Sequence, residues 1–62
     1  MDKYRIKRIF TDGSHNFKTL HLFVGFNAFR MATSAASCNA RQDGVSKVDL
    51  YLGSKLVATF YH

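Results

Sequence analysis

VGFNAFRMATSAASCNAR, residues 24–41, is the stretch whose reading decides the fold of this chain. It is the only segment long enough and periodic enough to form a helix of several turns. Phe29, Ala32, Ala36 and Ala40 recur at helical spacing, with Ala28 and Ala35 beside them. Alanine is the best helix former, and no proline interrupts the run. A face made mostly of methyl groups lets a helix lie close against a flat partner. The rest of the chain reads as strand, so the predicted partner is a sheet.

Upstream of the helix, residues 4–10 read as a strand in which Tyr4, Ile6 and Phe10 alternate with Arg5, Lys7 and Ile9. Arg8 breaks the pattern on the apolar side. Asp12-Gly13 follows, a hairpin signal because both central residues of a type I′ turn need positive φ. A two-residue loop there pairs Thr11 with Ser14, Ile6 with Thr19 and Arg8 with Phe17, and sets Lys18 opposite Lys7. The second strand then runs over residues 15–22. Gly25 or Asn27 helps shape the start of the helix, and Phe23 and Phe26 are expected beneath its first turn. Gly44 marks its end.

Downstream, Val48, Leu50 and Leu52 alternate with Lys47, Asp49 and Tyr51 in a third strand over residues 45–52. Gly53-Ser54 is a turn, and residues 56–61 form a fourth strand. A two-residue loop suits a type II′ turn and sets Val57 and Thr59 beside Leu50 and Val48. A three-residue loop through Lys55 sets Leu56, Ala58 and Phe60 there instead. The choice matters, because a one-residue slip turns every side chain of a strand to the other face. The three-residue loop is preferred, since the core is short of volume. The predicted fold class is α+β: ββαββ, a four-stranded, mainly antiparallel sheet with one helix packed on one face.

Size and composition bound the function. Sixty-two residues read as a single domain, 1–62, with one small core. A deep catalytic cleft needs walls that a chain of this length hardly supplies. The apolar fraction of 47% and six Phe argue against disorder. Nine Lys and Arg against four Asp give a net charge of +5, which favours an acidic partner or simply confers solubility. Cys38 is alone and cannot form an internal disulfide, which points to a reducing compartment. Its expected role is that of a small buried hydrophobe. No apolar signal-peptide core is visible, and LHLFVGF is too short to cross a bilayer. A cytoplasmic protein with no membrane partner is the expectation.

Catalytic constellations are hard to assemble. Glu is absent, and Asp2, Asp12, Asp43 and Asp49 form no pair placed for acid–base work. His15 and His21 share a strand face but stand about 20 Å apart at strand rise, too far to share a metal ion. His62 is remote from both in the sequence. Neither a phosphate loop nor an interpretable Ser/His/Asp triad is present. The expectation is a non-enzyme with no cofactor and no metal site.

KYRIKR, residues 3–8, carries four basic residues in six. Alternation puts Arg5 and Lys7 on the outer face, and the type I′ register adds Lys18. Like charges held side by side cost stability, so a chain that keeps them has a use for them on an acidic target. The plain alternative is a solvated face or an edge protected by lysine. Tyr51 joins this open face in either register, and Tyr61 in the three-residue one. Arg5, Lys7, Lys18 and Tyr51, with Arg8 and Lys47, are the candidate binding residues. Such a face could stack bases and track phosphates, or dock a protein. The aromatic signature of RRM domains is absent, and double-stranded RNA-binding domains begin with a helix.

The succession of a basic hairpin, the Ala-rich helix reached through LFVGFNAFRMA, and VDLYLGSKLVATF resembles the small ββαββ proteins of phages and mobile elements. Some of these are anti-CRISPR proteins and other inhibitors of host machinery. The resemblance covers most of the chain and is one of pattern. It implies binding to a host protein or nucleoprotein complex, such as a CRISPR effector, in the host cytoplasm. Two alternatives stand beside it: a module binding DNA or RNA through the same basic patch, and a self-associating structural subunit. Either a monomer or a homodimer is compatible with these readings.

Overall fold

Four alanines spaced four residues apart set the architecture. Ala28, Ala32, Ala36 and Ala40 are all buried, in one stripe along helix α1, Ala28–Ala40. The structure is a computed structural model that describes residues 3–20 and 27–62. Four strands accompany the helix: β1 (Tyr4–Phe10), β2 (His15–Leu20), β3 (Val45–Leu52) and β4 (Lys55–Tyr61). They form one antiparallel sheet in the order β2-β1-β3-β4. Helix α1 lies on one face, against β3, β4 and β1. The fold is therefore α+β with the order ββαββ. α1 is shorter than the expected 24–41: it starts after Asn27, which is its N-cap but makes no side-chain capping hydrogen bond. The strand end at Leu22 and the roles given to Phe23, Gly25 and Phe26 lie outside the described residues.

The core is thin. Among the described residues, Ile6, Val48 and Leu50 are its largest fully buried side chains, set against Ala32 and Ala36. Each large side chain contributes about 1.5–3 kcal/mol by leaving water. Small alanines bring the helix backbone near enough to seal them. Phe29 does not belong to this face, contrary to the sequence expectation. It is half exposed, with its ring 6.4 Å from that of Tyr4. It follows Ala28 around the helix by about a quarter turn, and a phenyl ring on the contact line would prop the helix off the sheet. Cys38, expected to be buried, is exposed.

The first hairpin departs from the expected register by one residue. Ile6 pairs with Lys18, Lys7 with Phe17 and Arg8 with Asn16. The cause is a three-residue turn, Thr11-Asp12-Gly13. The Gly13 N–H donates to the Phe10 carbonyl at 3.0 Å, and the Phe10 N–H donates to the Ser14 carbonyl at 2.8 Å. Gly13 takes φ +91°, whereas no non-glycine among the described residues has positive φ. A type I′ turn would have required it of Asp12. Asp12 instead uses its carboxylate. Oδ1 accepts from the Ser14 N–H at 2.9 Å and from the Ser14 hydroxyl at 2.6 Å.

The second hairpin combines the two expected alternatives. Leu52 pairs with Lys55 across the two-residue loop Gly53-Ser54, with Gly53 at φ +62°. Tyr51 pairs with Leu56, but Leu50 pairs with Ala58. Val57 is thus an extra residue, a β-bulge, and it packs against the core with Ala58 and Phe60. The turn chemistry of glycine and the apolar demand of the core are both met. A second bulge serves the core at the other end of β3. Ile9 pairs with Lys47 and Phe10 with Val45, leaving Ser46 over. Val45 and Val48, three residues apart, can then both be buried.

Two measurements check this account. Ala36→Leu inserts three carbons where helix and sheet touch, and should lower stability by about 1–3 kcal/mol in urea unfolding. Asp12 is the other. The hydroxyl and N–H of Ser14 hold its carboxyl below the ordinary 3.8. A depressed folded pKa stabilises above the unfolded value, and that contribution disappears as pH falls through the folded one. Asp12→Asn should therefore flatten the loss of stability below about pH 4, measured by thermal melts across acid pH.

Candidate functional site

The face of the sheet away from α1 is the candidate site. Strand alternation assigns it the residues between Ile6, Val48 and Leu50, and cross-strand pairing arranges them in rows. Arg5 stands between Thr19 and Tyr51, with Leu56 beyond. Lys7 stands between Phe17 and Asp49, with Thr59 beyond. Ile9 stands between His15 and Lys47, with Tyr61 beyond.

Phe17 organises the upper part of this face. The Arg5 guanidinium carbon lies 4.7 Å from its ring centroid, and the Lys7 ammonium 5.8 Å. Both are within the range where a cation is attracted to a ring face. The Tyr51 ring centroid is 6.5 Å away at a tilt of 52°, and that of His15 is 5.8 Å away, edge-on. Phe17 remains 48% exposed, and Tyr61 is 75% exposed. The result is a patch where aromatic rings and cations are interleaved rather than segregated.

One carboxylate sits within it. Asp49 is 8% exposed, and Thr59 Oγ1 donates to its Oδ1 at 3.0 Å. Lys7 is its cross-strand neighbour. Asp49 offsets part of the positive charge at the centre of the face, but it offers little surface to a partner.

The candidate residues divide between the two faces. Arg5, Lys7, Tyr51 and Lys47 share the open one. Lys18 does not: with the three-residue turn it shares a side with Ile6, flanked by Asn16 and Leu20. The expected trio of Arg5, Lys7 and Lys18 is thus a pair. Arg8 is also on the helix side, where it braces the fold. Its Nε donates to Asn16 Oδ1 at 2.9 Å, and an Nη reaches Asn39 Oδ1 at 3.5 Å. Asn39 itself donates to the Ala35 carbonyl at 2.8 Å.

Sequence reading missed Phe17 and His15. The type I′ register turned both toward the helix. The legible signal was the Thr-Asp-Gly-Ser run, which suits a three-residue turn with glycine in the left-handed position.

Other polar groups serve structure. His62 Nδ1 donates to the Ala40 carbonyl at 2.8 Å, closing the end of α1; a carbonyl only accepts, so Nδ1 carries the proton. His21, the partner expected on the face of His15, lies outside the described residues. A shallow groove on the outer side of α1 is lined by Asn27, Arg30, Met31, Ser34, Ala35 and Cys38. Among the described residues, no group of three or more His, Cys, Asp or Glu is placed to hold a metal ion, and no helix is long and apolar enough to cross a membrane. Comparisons with protein-family models, curated proteins and solved structures find no match to this chain.

The division of cations has a direct test. Arg8→Ala strips Asn16 of its partner and should cost about 1 kcal/mol of stability. Lys47→Ala, on the open face, should stay within about 0.5 kcal/mol of wild type. Chemical denaturation of both variants compares them.

Proposed function

We propose that this chain is a small, non-enzymatic binding protein that lays its open sheet face on an acidic surface of a host protein or nucleoprotein complex and inhibits the complex by covering it. One observation carries the reading: Arg5 is stacked over Phe17, with Lys7 beside it, on the side of the sheet that α1 leaves uncovered. A guanidinium already held by a ring loses less freedom when it meets a carboxylate or phosphate. Arginine and aromatic side chains together are the usual anchors of binding surfaces. The net charge of +5 adds attraction at long range.

The kind of target follows from the likeness in pattern to small phage and mobile-element inhibitors. A CRISPR effector is one such target, and it would place the chain in the host cytoplasm. Self-association through this same face is disfavoured. A two-fold contact sets a patch against its own copy, bringing Arg5, Lys7 and Lys47 of two chains together.

Charge reversal tests the reading. Wild-type chain and the double variant Arg5→Glu, Lys7→Glu are immobilised and exposed to nuclease-treated host extract. The expected result is a stoichiometric protein partner held by wild type, lost from the variant, and inhibited by the purified chain at about equimolar ratio. Equal retention by both chains overturns the docking of that protein partner on this face, and retention without inhibition overturns the inhibitor reading.

A further inference from the structure

We infer that the open sheet face takes single-stranded nucleic acid, with bases on its rings and phosphates on its cations. The inference rests on the preceding assignment of that face and names the chemistry it meets. Its basis is the pairing of chemistry within each row. The first row holds Arg5 and Tyr51, the second Lys7 and Phe17, and the third Lys47 with Tyr61 and His15. Every row thus contains at least one ring and one cation. Successive rows on one face are two residues apart along a strand, about 7 Å. That repeat is comparable to the span of one extended nucleotide, which offers one planar base and one negative charge.

An acidic protein surface would match the cations but offer no plane to the ring of Tyr61, which is 75% exposed. Duplex matches poorly for another reason. Its bases are stacked on one another inside, and among the described residues no helix projects from this face to enter a groove. In a single strand the bases are free to stack on aromatic rings or on a guanidinium plane. The Arg5–Phe17 stack supplies the plane, and Tyr51 and Tyr61 supply rings. Asp49 would repel phosphate, but it is nearly buried and accepts a hydrogen bond from Thr59.

Anisotropy titrations with labelled oligothymidine and oligouridine test this, beside a duplex of equal length and a polyglutamate peptide. Single strands should bind at micromolar chain in low salt and at least about tenfold more tightly than duplex or polyglutamate. Three phosphate contacts predict a log–log salt slope near about −2 for a single strand. Tyr61→Ala should weaken binding about fivefold or more with the slope unchanged, and the 75% exposure of Tyr61 keeps folding out of the question. Lys47→Gln should make the slope shallower by about 0.7.

Binding of duplex or polyglutamate as tight as of single strands overturns the inference. So does affinity unchanged by both Tyr61→Ala and Tyr51→Ala, or no single-strand binding at micromolar chain. If one of these is seen while a nuclease-treated partner is still lost on charge reversal, the acidic-protein reading stands alone. If the charge-reversed chain keeps that partner and single strands still bind, the nucleic-acid reading stands alone.

Discussion

The close contact between the alanine stripe of α1 and the three large side chains Ile6, Val48 and Leu50 is the interaction on which the structure depends. A chain of this size has few side chains to spend on a core, so the two layers must approach closely. Alanine allows that approach at no cost in helix propensity. A single helix covers only one side of a four-stranded sheet. α1 does not cover the other side, which carries Arg5, Lys7 and Lys47. The candidate site is thus a consequence of how the core is closed: one face is sealed by methyl groups, and the other carries rings and cations.

Within that arrangement the sheet reconciles demands that regular strands could not meet together. Gly53 favours a tight two-residue turn, while the core needs Ala58 and Phe60 on its side. The bulge at Val57 satisfies both and adds Val57 to the buried side. The bulge at Ser46 does the same for Val45 and Val48. Each irregularity also acts on the open face. With Val57 inserted, Thr59 and Tyr61 face outward, where the hydroxyl of Thr59 holds Asp49 and the ring of Tyr61 stands free.

The basic segment shows how position, rather than composition, assigns a role. Arg5 and Arg8 lie three residues apart in one strand and so point to opposite faces. Arg8 is drawn into amide contacts that tie β2 and α1 to β1, which makes it part of the scaffold. Arg5 lies over Phe17 on the open face. Lys18 was linked to Lys7 only by an assumed turn geometry, and the true turn separates them. Counting cations would have joined all four.

The element types and their order were legible in the sequence, because alternation of apolar residues in the strands and the four-residue repeat of alanine are local patterns. So was the outward side of β1 and β3, where Arg5, Lys7, Lys47 and Tyr51 were placed by parity alone. What the sequence left open was register. Whether Asp12-Gly13 closes a loop of two residues or three depends on hydrogen bonds to Phe10 and Ser14, and on a carboxylate that prefers capping Ser14 to adopting positive φ. That single residue of shift decided that Phe17 and His15 belong to the open face and Lys18 does not. The second shift, at Val57, depended on how much volume the core lacked once α1 had docked. Only the assembled layers settle such quantities, because cross-strand pairing and core filling are properties of segments far apart in the chain.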